Sequence, residues 1–273
     1  MPLFTVTDAC TGCGLCAKAC PASLVRQKEA GERPVPLPGR EAHCIRCGHC
    51  VAVCKPGAFV HALLPAADFE SVSRDRLPSF ESVRHLLMAR RSCRMYAGTP
   101  LAREEILGLI EAVRHAPTGH NVRGIGYVVV DGPERLDEVR EVVLDWMRLE
   151  VAAGTRRAAV LHLEGAIRAV SRGKDVVFRG APQVVVVHAP TDGVTPQADA
   201  VIAGAWLELA AAAKGYGACW CGYLMFALAG HRPMGELLGI GQGRQGYAAL
   251  LLGRPAVRPV SIPPREMPDI RFF

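Results

Sequence analysis

The stretch "CTGCGLCAKACP", Cys10 to Pro21, sets four cysteines and a proline within twelve residues. "CIRCGHCVAVCKP", Cys44 to Pro56, nearly repeats it. The spacings are Cys10-x2-Cys13-x2-Cys16-x3-Cys20 and Cys44-x2-Cys47-x2-Cys50-x3-Cys54. Eight of the 11 cysteines of the chain lie in these two runs, which form an internal duplication.

This spacing is that of the bacterial ferredoxin ligand run for a [4Fe–4S] cluster. A CxxCxxC turn lets three thiolates converge on three irons of one cube, and the fourth ligand comes from the other run. The expected sets are Cys10, Cys13, Cys16 with Cys54, and Cys44, Cys47, Cys50 with Cys20. Gly12, Gly14 and Gly48 suit a close backbone approach, from which N–H groups can donate to cluster sulfurs. Structural zinc and a disulfide scaffold are the competing readings. Zinc sites use four ligands, usually as two separated CxxC pairs, and this pattern fits them poorly. With four thiolates for each cluster, His43 and His49 read as bystanders. Such clusters carry one electron at a time, so substrate chemistry is expected elsewhere in the chain.

Of the 273 residues, 50% are hydrophobic and 21% charged, which is globular composition with a core to bury. The net charge of +6 comes with scattered arginines and no aromatic-interleaved basic stripe, so nucleic acid is not an expected partner. The start, "MPLFTVTDAC", lacks a basic segment followed by a long apolar one. The longest apolar run, "AVIAGAWLELAAAAKGYGAC", is interrupted by Glu208 and Lys214. A soluble cytoplasmic protein with no membrane association is the expectation. Cysteines in that compartment point to metal or redox chemistry before disulfides.

The chain divides into residues 1–64, a linker at 65–79, and residues 80–273. The Pro/Gly-rich "AGERPVPLPGR" between the cysteine runs reads as a loop. Beyond the linker, helical and strand signals alternate. An apparent helix starts near Phe80, and "EEILGLIEAVRHA" has helical spacing at Ile106, Leu109, Ile110 and Val113. "IGYVVVD" reads as a strand. A long helix opens on Pro133, and a second helical stretch covers about Arg156–Arg172. "PQVVVVHAP" is a buried strand, "PQADAVIAGAWLELAAAAKGYG" a helix, and "YAALLLGRP" the last strand. The second domain is therefore α/β or α+β.

"ARRSCRMYAGTPL" puts Arg90, Arg91 and Arg94 around Ser92 at the end of a helix. Cations favour a helix C-terminus; arginine forks with a hydroxyl also make an anion site. "APTGHN", Ala116–Asn121, then "GAPQVVVV", "GYGACWCGY", "LLLGRP" and "IPPRE" follow in order. In that order residues 80–271 resemble the nitroreductase family of FMN enzymes. With the cysteine module in front, the whole chain resembles the ferredoxin-fused branch of that family. The implied fold is α+β: a small ferredoxin-like 2[4Fe–4S] domain, then a nitroreductase-like α/β flavin domain with a mostly antiparallel central sheet flanked by helices, forming a homodimer.

The resemblance implies that Arg90, Arg91 and Ser92 hold the FMN phosphate and ribityl chain, with Arg94 near the pyrimidine edge. It implies that Pro117, Thr118, Gly119 and Asn121 cover the flavin from the other protomer. Cys221 and Gly222 match the segment whose backbone N–H groups face flavin N5 and O4, and Arg265 a basic residue reaching the phosphate. Thr118-Gly119 stands where the family often has two serines, and Val122-Arg123 where Gln-Pro-Trp is common, so the usual aromatic substrate pocket is altered. "GQGRQG", Gly241–Gly246, precedes a strand and is no dinucleotide fingerprint. Cys93, Cys219 and Cys221 read as small buried residues, Trp146, Trp206 and Trp220 as core, and His115 and His188 as structural histidines.

The function so implied is an iron–sulfur flavoprotein oxidoreductase. Electrons from a low-potential donor such as a soluble ferredoxin pass singly through two [4Fe–4S] clusters to FMN, which reduces a small organic acceptor: a nitro compound, quinone, enone or similar. No protein nucleophile or general base stands out. The direction could reverse. The alternatives are an electron-transfer module relaying between protein partners without its own substrate, and a flavin enzyme whose clusters are structural.

Overall fold

The structure is a computed structural model and describes residues 2–273. Two compact units emerge, one ending at Leu77 and taking in His120–Val122, the other made of Pro78–Gly119 and Arg123–Phe273.

In the first unit β1 (Phe4–Val6), α1 (Leu15–Ala19), β2 (Val25–Arg26), β3 (Val35–Pro36), α2 (His49–Ala52) and β4 (Phe59–His61) follow in chain order. β1 pairs antiparallel with β4, Phe4 opposite His61. β2 pairs with β3, so the Pro/Gly-rich connection expected as a loop contributes a short strand. Pro36 is accommodated because it ends that two-residue strand. The duplicated sequence produces duplicated geometry: α1 and α2 each start after a left-handed glycine, Gly14 at φ 69° and Gly48 at φ 75°. A Cβ at Gly12, also left-handed, would lie 2.1 Å from Gly31 O, so only glycine fits that turn. The small core centres on stacked Phe4 and Phe59 with Val25, Val51 and Cys16.

The second unit begins with α3 (Phe80–Ala89), capped by Ser79, whose Oγ accepts from Ser82 N–H. It continues through α4 (Arg103–Val113), β5 (Gly126–Asp131), α5 (Pro133–Ala152), α6 (Arg156–Val160) and α7 (Leu163–Ser171). Then come β6 (Gln183–Pro190), α8 (Pro196–Ala213), β7 (Gly217–Trp220), α9 (Gly222–Gly230), α10 (Arg232–Leu237) and β8 (Arg244–Gly253). The sheet order is β5-β6-β8-β7, antiparallel throughout.

The run of four valines explains the layering. Side chains alternate along a strand, so Val184 and Val186 enter a core with α5, α7, α9 and α10, while Val185 and Val187 face α4 and α8. All four are fully buried, each contributing about 1.5–3 kcal/mol by burial. On α8 the small stripe Ala200, Ala203, Gly204, Leu207 and Ala211 lies on the sheet. A Cβ at Gly204 would meet Trp220 at 3.0 Å, so the glycine sets how closely α8 approaches.

Two expectations are corrected. The stretch near Arg156–Arg172 is two helices, because His162 is left-handed (φ 51°) and cannot continue a right-handed helix. Trp206, expected in the core, is 41% exposed on α8. No helix of the described residues is long and apolar enough to cross a membrane.

Candidate functional site

In the second unit the C-terminus of α3 runs into an extended strap, residues 90–97, that follows β7 and the start of the C-terminal tail. Cys93 N–H donates to Ala218 O (2.8 Å), Ala97 N–H to Arg254 O (2.9 Å), and Ala256 N–H to Met95 O (2.9 Å). The Tyr96 phenol, pushed far above its ordinary pKa by burial, donates to Cys93 O (3.0 Å) and pins the strap from inside. Between strap, α8 and tail lies a cavity of ≈ 440 Å³, a size that accommodates a small ligand. It is lined by Arg90, Arg91, Ser92, Arg94 and Arg258, with Glu208 the one carboxylate. Four guanidinium groups and a hydroxyl around one carboxylate suit a phosphate-bearing ligand, and Leu86, Ala89, Ala212 and Val257 supply apolar wall.

Glu208 is buried on α8. Its Oε1 accepts from Arg90 Nη1 (2.8 Å) and its Oε2 from Trp220 Nε1 (3.2 Å). A buried carboxylate with both oxygens satisfied holds Arg90 in one place. Cys93 is half-buried and lines the cavity; its Sγ lies 2.6 Å from where a Gly217 Cβ would stand. Tyr216, also on the wall, donates to Glu105 Oε1 (2.6 Å). That bond, with the Ala102 N–H and the Arg254 guanidinium, holds the Glu105 carboxyl below its usual range.

The remaining predicted flavin residues do not line this cavity. Gly119 N–H donates to buried Asp199 Oδ1 (2.9 Å), which also accepts from Thr195 Oγ1 (2.8 Å). A Cβ at Gly119 would lie 2.3 Å from that Thr195 oxygen. Thr118 Oγ1 accepts from Arg123 N–H (3.0 Å), and Pro117 is exposed. His120, Asn121 and Arg123 all have positive φ, an uncommon concentration of left-handed non-glycine residues. Asn121 groups with the first unit, its Nδ2 donating to Ile45 O (2.8 Å) and Arg46 O (3.0 Å). The Cys221 thiol is buried and pushed up to about 12 by that burial, and its N–H donates to Ala249 O (2.8 Å). Gly222 is exposed at the start of α9, and Arg265 is exposed in the tail.

In the first unit Cys10, Cys13, Cys16 and Cys54 line one small cavity. Burial pushes the Cys16 thiol up, and nearby Cys54 and Cys13 push the same way. Burial likewise takes Cys50 to about 11, with Cys47 and Cys20 as its like-charged neighbours. Thiols from both runs therefore meet in each group. Among the described residues, no three His, Cys, Asp or Glu side chains are placed to hold a single metal ion. Gly12 N–H donates to Cys10 Sγ (3.4 Å) and Leu24 N–H to Cys20 Sγ (3.3 Å). His43 and His49 are exposed.

Sequence reasoning missed three residues here. Glu208 and Arg258 carry no motif, and only the fold brings them to the arginine strap. His61, outside both cysteine runs, is buried, and its Nε2 lies 3.5 Å from Cys44 Sγ. Burial, then Arg46, lowers its pKa.

Comparison with known proteins matches residues 87–254 to the nitroreductase family and residues 9–59 to a 4Fe-4S dicluster domain. A nitroreductase structure with bound FMN from Desulfitobacterium hafniense DCB-2 is 26% identical, covering 72% of this chain and 100% of that one, with a TM-score of 0.55. One from Bacteroides fragilis NCTC 9343, also with bound FMN, is 21% identical over 69% of this chain and 98% of its own, TM-score 0.55, which shows the shared fold. An iron-sulfur component of the CoB–CoM heterodisulfide reductase of Methanocaldococcus jannaschii is 34% identical over 70 residues, 21% of this chain, and the chain spans only 11% of that protein's length. The chain thus belongs to the nitroreductase family, an oxidoreductase family, and carries a 4Fe-4S dicluster domain ahead of its family domain.

Proposed function

We propose that this protein is an iron–sulfur flavoprotein that moves electrons between a low-potential protein donor, of the soluble-ferredoxin type, and a small organic acceptor. Its cofactors in this reading are FMN and two [4Fe–4S] clusters. When bound, the clusters supply one-electron carriage and the flavin supplies exchange between one- and two-electron steps. The observation that carries the reading is the arginine-lined cavity inside a nitroreductase-family domain.

In this reading Arg90, Arg91, Ser92 and Arg258 bind the FMN phosphate, with Glu208 orienting Arg90. Arg94 places positive charge nearer the ring, where it favours the reduced anionic flavin. Gly222, exposed at the first turn of α9, is the member of the Cys221–Gly222 segment whose N–H can face the ring. Cys10, Cys13, Cys16 and Cys54 ligate one cluster, and Cys44, Cys47, Cys50 and Cys20 the other. The grouping of thiols across the two runs supports this.

A homodimer completes the site. Pro117, Thr118, Gly119 and Asn121 are not among the residues that line their own chain's cavity, as expected of residues that serve a partner. Val260, Met267, Phe272 and Phe273 of the tail are exposed apolar residues suited to a second copy. Arg265, on that tail, is proposed to reach the phosphate.

The test is turnover. The holoprotein is reduced anaerobically, then mixed with nitroaromatics, quinones or enones while flavin absorbance is followed. Reoxidation faster than a no-acceptor control is expected with at least one class. Failure with all of them would leave only an electron relay between proteins. Cys13→Ser is expected to slow flavin reduction by a protein donor; an unchanged rate would make the clusters structural.

A further inference from the structure

His61 is the one buried polar side chain among the described residues of the first unit. It ends β4 opposite Phe4 of β1, and the next residue, Ala62, donates its N–H to Leu3 O (2.9 Å), so the backbone is fixed on both sides. The ring makes two contacts. Nδ1 accepts the Leu63 N–H (3.1 Å). Nε2 faces Cys44 Sγ at 3.5 Å, a hydrogen-bond distance for sulfur. A nitrogen that accepts from a backbone N–H bears no proton, so in the neutral ring the proton sits on Nε2. Nε2–H therefore donates to Cys44 Sγ.

We propose, resting on the cluster reading above, that His61 tunes the cluster held by Cys44, Cys47, Cys50 and Cys20, raising its reduction potential. Reduction adds negative charge to the cluster and its thiolates. A donor aimed at one of those sulfurs binds the reduced form more strongly than the oxidised one. Each thiol group receives a backbone N–H bond, from Gly12 to Cys10 and from Leu24 to Cys20. The imidazole adds a side-chain donor to the Cys44 thiol, and its burial keeps water from competing for the sulfur. Arg46, whose charge acts on the same imidazole, adds positive potential in the same sense.

The experiment is an anaerobic redox titration followed by EPR on the full-length holoprotein, wild type beside His61→Leu and His61→Gln, with iron and sulfide measured on each sample. In the Leu variant one of the two reduction steps is expected to shift about tenfold toward the oxidised form at fixed potential, 59 mV for one electron. The other step should stay in place. Gln, which keeps an N–H donor, should recover part of the shift. Full iron content with both steps unmoved in His61→Leu would overturn the role of His61 and leave the cluster reading standing. Wild-type protein without iron and sulfide would instead sink the cluster reading itself. Should neither variant load, NMR of wild-type holoprotein labelled with 15N-histidine decides. A paramagnetically shifted Nε2–H of His61 supports the proposal, and an unprotonated Nε2 refutes it.

Discussion

Removing Arg90 should cost more than one phosphate contact, because Arg90 also neutralises Glu208. In Arg90→Ala the charged hydrogen bond proposed for the phosphate is lost, about 1.5–3 kcal/mol, or roughly 10- to 150-fold in FMN affinity. Glu208, only 10% exposed in its side chain, then keeps Trp220 Nε1 alone as donor. Its uncompensated charge opposes the phosphate dianion, and we predict about a further tenfold weakening. The double variant Arg90→Ala/Glu208→Ala removes that repulsion and should bind FMN about tenfold more tightly than Arg90→Ala. Apoprotein titrated with FMN under flavin-fluorescence quenching measures all three. The same unpaired carboxylate should lower the stability of apo Arg90→Ala by about 2 kcal/mol, roughly 4–8 °C in Tm for a unit of this size. Equal FMN affinity in the single and double variants would refute the coupling. Wild-type affinity in Arg90→Ala would refute the assignment of the cavity.

Gly119→Ala would place a Cβ 2.3 Å from Thr195 Oγ1 and break the Thr195–Asp199 link; we predict a loss of about 1–3 kcal/mol by urea unfolding, and an unchanged midpoint would contradict the packing. His188 is held neutral, first by burial and then by the Arg244 charge, so its folded pKa lies below the ordinary value. Stability from this source is full above pH ~6.5 and falls as pH drops through the folded pKa; His188→Asn should flatten the fall of the unfolding midpoint between pH 8 and pH 5.5, and an unaltered slope counts against it. Cys20→Ser should damage the cluster of Cys44, Cys47 and Cys50 first by EPR, and loss of the other cluster alone would reverse the proposed exchange.

The sequence carried its information unevenly. Spacing is local, so the cysteine runs and the glycines that allow close backbone approach were legible, as was the strand of four valines. The strap "RRSCR" allowed an anion site as readily as a helix C-terminus, and the other side of its cavity was not readable. Glu208 lies 118 positions from Arg90, and Arg258 sits beyond the last strand. Neither carries a pattern; α8 packing and the return of the tail bring them in. The break at His162 was hidden because one left-handed residue leaves no mark on hydrophobic periodicity. Strand β3 was masked by the prolines in and around it, and His61 by standing outside the motif whose thiol it contacts.

The most direct measurement is the composition of anaerobically purified protein. Iron, acid-labile sulfide and flavin are quantified per chain, and the sample is then challenged with NADH, NADPH and reduced ferredoxin. About eight irons, about eight sulfides and one FMN per chain are expected, with reduction by ferredoxin. Zinc in place of iron and sulfide, or a preparation that neither contains nor binds FMN, would contradict it.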